Sequence, residues 1–134
     1  MMVYVYAYLS TFAVFLPCDM VWLGTMASRL YRPTLGDILL SDASLPAAGA
    51  FYGIYPVGLV FFAVVPALKS GSLGQATLSG ALFGFFTYMT YDLTNQATLK
   101  NWTTQLTLVD IGWGTLLGAI SATAAFWVTS KLTA

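Results

Sequence analysis

At 134 residues, with 58% of them hydrophobic and only 7% charged, the chain cannot cover itself with a water-facing surface; an ordinary soluble domain carries about 25% charged residues. Its five basic and five acidic side chains cancel, so nothing favours nucleic acid, and no basic run offers a strong electrostatic hold on anionic lipid. Histidine and glutamate are absent and Cys18 is the lone cysteine, which excludes histidine-ligated haem, histidine-based triads, multi-cysteine metal sites and an internal disulfide.

Four apolar segments follow one another along one domain, at 3–27, 45–68, 75–98 and 106–129. Each has the roughly 20 residues that a helix needs to cross about 30 Å of hydrocarbon. The alternation of a β-barrel strand is missing, and backbone satisfaction in lipid then leaves helices. The expectation is an all-α, polytopic membrane protein, a bundle of four transmembrane helices. The first segment lacks a basic flank before it and outruns a signal-peptide core, so it reads as a retained span. It ends at Arg29-Leu-Tyr-Arg32-Pro33, the second at Lys69-Ser-Gly-Ser, the third at Lys100-Asn101 and the fourth near Lys131.

Spans two, three and four each carry a GxxxG pattern, at Gly49–Gly53, Gly80–Gly84 and Gly114–Gly118. Small residues at that spacing let helix backbones approach closely, so a compact bundle is expected. Arg29, Arg32 and Lys100 fall in the first and third connections and Lys69 and Lys131 on the other side. The positive-inside rule then leans toward cytoplasmic first and third connections.

Three of the five acidic residues, Asp19, Asp92 and Asp110, lie within the spans. Alternating span direction gathers all three into the membrane half next to the first and third connections. Asp19 precedes Arg29 by ten residues, about 15 Å along a helix, which puts it near the bilayer middle. A charged carboxylate there costs at least about 2.5–3.5 kcal/mol, so Asp19 is neutral, paired or open to water. A polar or aromatic partner stands three residues after each acid: Trp22, Asn95 and Trp113. That spacing shares a helix face. Asp92 and Asp110 also share faces with Gly84 and Gly114 and should point into the bundle, and Pro17 should kink the first span beside Asp19. The expected site has Asp19 and Asp92 at its core, Asn95 and Tyr88 as hydrogen-bonding partners, Asp110 at its rim, and Trp22 and Trp113 as walls. Arg29 and Arg32 are added as contacts for an anionic group.

Structural readings compete with each assignment. Asp110 follows Thr107 by three, as in a helix-capping start. Asp92 and Asn95 suit hydrogen bonds between helices, Arg29 and Arg32 suit interfacial anchors, and the aromatics suit an interfacial belt.

The same residues carry a family resemblance over nearly the whole chain. Asp19-x-x-Trp22 with Tyr31-Arg32, Tyr91-Asp-Leu-Thr-Asn-Gln-Ala-Thr-Leu99 and Leu108-Val-Asp-Ile-Gly-Trp-Gly114 resemble the signature positions of a bacterial family of small membrane proteins classed as a domain of unknown function. The resemblance implies a four-span, multi-pass protein of the bacterial inner membrane with a lipid-related role, and it singles out the same aspartates without giving a mechanism.

Binding or transport of a small polar, cationic or lipid-derived ligand is the leading functional expectation. An intramembrane lipid-modifying enzyme is the alternative, with aspartates as acid and base or around magnesium, but no nucleophile is evident. An accessory or scaffold subunit is the third reading. Membrane lipid, a second copy or another membrane protein are the expected partners, with no cofactor and no resident metal site.

Overall fold

The computed structural model describes residues 1–134 and contains helices without a strand. Helix α1 (Met2–Met26) runs into a π-helical turn (Ala27–Tyr31), a short α2 (Arg32–Leu35) and a 3-10 turn (Gly36–Ile38). Helix α3 (Leu45–Leu59), a second π-helical turn (Val60–Val64) and α4 (Val65–Ser70) make the next stretch. Two long helices complete the chain, α5 (Leu73–Thr98) and α6 (Thr104–Leu132).

Three stretches are long and apolar enough to cross a membrane: Met2–Ile38, Leu45–Ser70 and Thr104–Leu132. With 26 residues, α5 has the length of a span, about 39 Å at the helical rise, but it is more polar than the other three. Gln75, Asp92, Asn95, Gln96 and six serines and threonines between residues 77 and 98 dilute its apolar face.

The first stretch does not end at Ala27, as expected, but stays helical to Ile38. Both π-helical turns close two residues before a proline, Tyr31 before Pro33 and Val64 before Pro66. Proline has no N–H and its ring crowds the carbonyl four residues back, so widening the preceding turn carries the helix past it without a break. The backbone irregularities therefore sit at these turns, while Pro17 lies inside an uninterrupted α1.

Sharper signals close the other elements. Gly71 takes the left-handed conformation (φ 70°) after α4, which an L side chain resists. Ser72 Oγ accepts from the Gln75 N–H at the start of α5, and Thr103 Oγ1 does the same for Leu106 at the start of α6. Thr103, not Thr107, thus caps α6, and Asp110 lies beyond its first turn. The helix-capping reading of Asp110 falls with that.

Two of the three glycine pairs form one contact. A methyl on Gly80 would overlap the Gly118 carbonyl, and one on Gly84 the Gly114 carbonyl, so α5 and α6 run antiparallel with their backbones touching. Gly49 and Gly53 have open space where a side chain would go. Helix α3 is tied to α1 instead by Tyr8, whose hydroxyl donates to the Gly53 carbonyl at 2.8 Å.

The apolar core is layered along the long axis. Ala7, Val64, Ala122 and Ala125 pack at one end, Phe15, Leu59 and Leu117 in the middle, and Leu30, Leu35 and Leu106 at the other. At that last end the first stretch meets the α5–α6 connection, where Asn101 Nδ2 donates to the Leu35 carbonyl at 3.0 Å. Large apolar side chains such as Ile54, Phe61, Leu78, Phe86 and Leu108 face outward.

Candidate functional site

Asp19, Asp92 and Asp110 all lie inside the packed helices, 5%, 0% and 6% exposed. Asp19 has two donors from two other helices. Tyr52 Oη on α3 donates to Oδ2 at 2.5 Å, and Trp113 Nε1 on α6 donates to Oδ1 at 2.9 Å. Both oxygens of this carboxylate are therefore satisfied without a basic residue.

Trp113 reaches Asp19 while its ring lies flat on Trp22, with centroids 4.6 Å apart and planes 3° from parallel. Trp22 Nε1 in turn donates to Tyr31 Oη at 2.8 Å, and Tyr31 Oη donates to Asp110 Oδ1 at 2.5 Å. One polar chain thus runs from Tyr52 through Asp19, the tryptophan pair and Tyr31 to Asp110.

Tyr31 owes its place to the widened turn. Nine residues of regular α-helix would set it about 180° around the axis from Trp22. Because Ala27–Tyr31 holds an extra residue in its turn, the phase falls back by about 100° and Tyr31 comes round toward Trp22.

Asp92 is placed differently. Both of its oxygens are buried, and neither meets a hydrogen-bond donor. Across the α5–α6 contact, where Gly84 touches Gly114, it stands beside a second acid, Asp110. Asn95, the expected partner one turn on, makes no hydrogen bond to it. The neighbouring polar groups are engaged with one another: Thr107 Oγ1 donates to Gln96 Oε1 at 2.7 Å, and Trp102 Nε1 donates to Thr107 Oγ1 at 3.0 Å.

Tyr88 covers Gly114 with its ring, and its hydroxyl lies in the field of both Asp19 and Asp110, although no hydrogen bond joins it to Asp92. Arg29 and Arg32 are exposed and take no part in the hydrogen bonds of the cluster. Of the nine expected site residues, Asp19, Trp22, Asp92, Asp110 and Trp113 converge, Tyr88 borders them, and Asn95, Arg29 and Arg32 stay outside.

Two participants were not expected. Tyr31, a signature position without an assigned role, belongs to a segment that reads as an interfacial break, and only Pro33, two residues on, signals the widened turn. Tyr52 sits within the Gly49–Gly53 pattern, and nothing in its spacing marks it as a partner for Asp19.

No three acidic or thiol side chains converge closely enough to hold a metal ion. The cluster is closed packing, with its carboxyls hidden from water. A groove of about 620 Å³ lies elsewhere, on the outer surface, lined by Phe62, Ser79, Leu82, Phe83, Phe86, Thr87 and Thr90.

Neither a curated protein nor a solved structure matches the chain. A family described as a predicted membrane protein (DUF2177) matches residues 4–127, a stretch that contains every member of the cluster. The chain belongs to this family of membrane proteins.

Proposed function

We propose that this is a four-span protein of the bacterial inner membrane in which the aspartate cluster binds or carries a small cationic ligand, an amine or an ammonium-bearing lipid fragment. One observation carries the reading: three carboxyls are buried in the packed helices, two of them linked through the tryptophan pair and Tyr31, and no basic side chain bonds to any of them. Acid inside a membrane protein is expensive unless it is paired, and it marks ion and substrate pathways. The missing positive partner is the ligand. The tryptophan pair beside Asp19 adds π surface of the kind that attracts ammonium groups.

The fourth crossing rests on α5. It lies along α6 with glycine backbones in contact, so an α6 that spans the bilayer carries α5 with it. Its polar residues include Asp92, which is sealed inside the protein and not presented to lipid. The lipid-modifying alternative gains nothing from the geometry, since no nucleophile joins the carboxyls and the three do not form a magnesium cage.

Fluorescence titration of the purified protein with propylammonium and with guanidinium tests the proposal, because Trp22 and Trp113 report on the site. A saturable change that disappears in Asp92→Asn is expected. A response that is absent with both cations, or the same in the variant, contradicts it.

A further inference from the structure

We infer that Asp92 and Asp110 form a proton-binding pair, with one proton held between two carboxyls from facing helices, and that a cation entering the cluster displaces this proton. The pair stands on a buried acid without a donor and on the antiparallel α5–α6 contact, which sets Asp92 two turns beyond Gly84 and Asp110 one turn before the facing Gly114. Asp92 is fully buried, and its Oδ1 and Oδ2 meet no donor from backbone or side chain. Buried polar groups without partners are rare in folded proteins because the cost of desolvation is not recovered. The α5–α6 contact brings Asp110 beside it, and Asp110 Oδ1 already accepts from Tyr31.

Two acceptors side by side become partners when one of them carries a hydrogen. A protonated Asp92 then donates to Asp110, which supplies the bond Asp92 lacks and leaves one negative charge where two would repel. Two carboxyls that share a site hold a proton for this reason.

The surroundings offer no competing positive charge. From the widened turn after α1 Tyr31 bonds to Asp110, from α5 Tyr88 packs on Gly114 one turn from Asp110 and Tyr91 precedes Asp92, and Asp19 on α1 lies in the field of Tyr88. All are acids or neutral hydroxyls. Arg29 and Arg32, the nearest basic residues in sequence to Tyr31, are exposed. A proton is therefore the cation that suits the pair, and a bound cation makes it dispensable.

The second half rests on the proposed cation site, and the test separates the two. Infrared spectroscopy of the purified full chain at pH 7 reads the C=O stretch of a protonated carboxylic acid, which ionised surface carboxyls do not give. The expected band has the area of one group per chain, shifts in D2O, disappears in Asp92→Asn and in Asp110→Asn, and persists in Asp19→Asn. Saturating propylammonium should remove it from the wild type.

A wild-type spectrum without the band, or a band that survives Asp92→Asn, overturns the pair, and the wild-type measurement needs no variant to fold. A band that stays while the tryptophan signal saturates with propylammonium overturns the exchange. A band present with no tryptophan response to either cation supports the pair and overturns the cation-binding function.

Discussion

Trp22 and Trp113 stack face to face, 4.6 Å between centroids, and each spends its indole N–H on a different acid-linked partner. Trp113 donates to Asp19 directly, and Trp22 reaches Asp110 through the Tyr31 hydroxyl. The stack therefore joins two carboxyl sites that share no direct hydrogen bond. Replacing Trp113 with phenylalanine keeps an aromatic face and removes one donor from a buried carboxylate. A loss of about 1–3 kcal/mol is expected, with the near-ultraviolet dichroism of the pair. Thermal unfolding in detergent checks the first and the dichroism spectrum the second; an unchanged melting curve would show that Asp19 does not depend on Trp113.

Tyr31→Phe tests the central link. It deprives Trp22 Nε1 of its acceptor and Asp110 Oδ1 of its donor at once, leaving two polar groups short of a partner. Destabilisation on the order of 2 kcal/mol is expected. Tyr4→Phe, far along α1 at an exposed position, should leave stability as it is.

The glycine contacts give a paired prediction. In Gly84→Ala the new methyl meets the Gly114 backbone, which cannot swing aside as a side chain can, so α5 and α6 must separate. Overpacking costs about 1–3 kcal/mol in ordinary cores, and backbone contact puts this site at the upper end. Gly49→Ala meets nothing within 4 Å and should be neutral or slightly stabilising through helix propensity. Yield and melting temperature of the two variants in the same detergent decide it; equal behaviour would contradict the α5–α6 contact.

Crossing by α5 is measurable through single cysteines in a Cys18→Ala background. Residues 44 and 101 should label from one side of the membrane and residues 72 and 133 from the other, when probed with an impermeant maleimide. If 72 and 101 label from the same side, α5 does not span.

Much of this architecture is legible in the sequence because hydrocarbon imposes length and apolarity on a spanning helix, and 3–27, 45–68 and 106–129 carry both signals plainly. The α5–α6 contact follows from Gly80–Gly84 and Gly114–Gly118, where two small-residue stripes in adjacent helices have each other as the simplest partner. The identical pattern at Gly49–Gly53 has no such partner within the chain, so motif and contact part company there. Asp19, Asp92 and Asp110 are legible as a group from topology, since span direction alone brings them to one end. Their partners are not. Tyr31 depends on a one-residue change of helical phase, and Tyr52 on how α3 leans against α1, neither of which a residue spacing records. Asn95 shows the limit of the three-residue rule: a shared helix face brings two side chains near each other but does not make them bond.

The measurement that bears most directly on the account is the stability of Asp92→Asn beside Asp19→Asn and Asp110→Asn, each melted in detergent without added ligand. Asparagine keeps the shape of the side chain and removes its acid. If Asp92 is kept for a proton or a cation and not for packing, Asp92→Asn melts at or above the wild type. Asp19→Asn and Asp110→Asn, which disturb hydrogen bonds already made, then melt below it. An Asp92→Asn protein that loses stability as severely as the other two would contradict the account, making the third aspartate part of the glue and not the site.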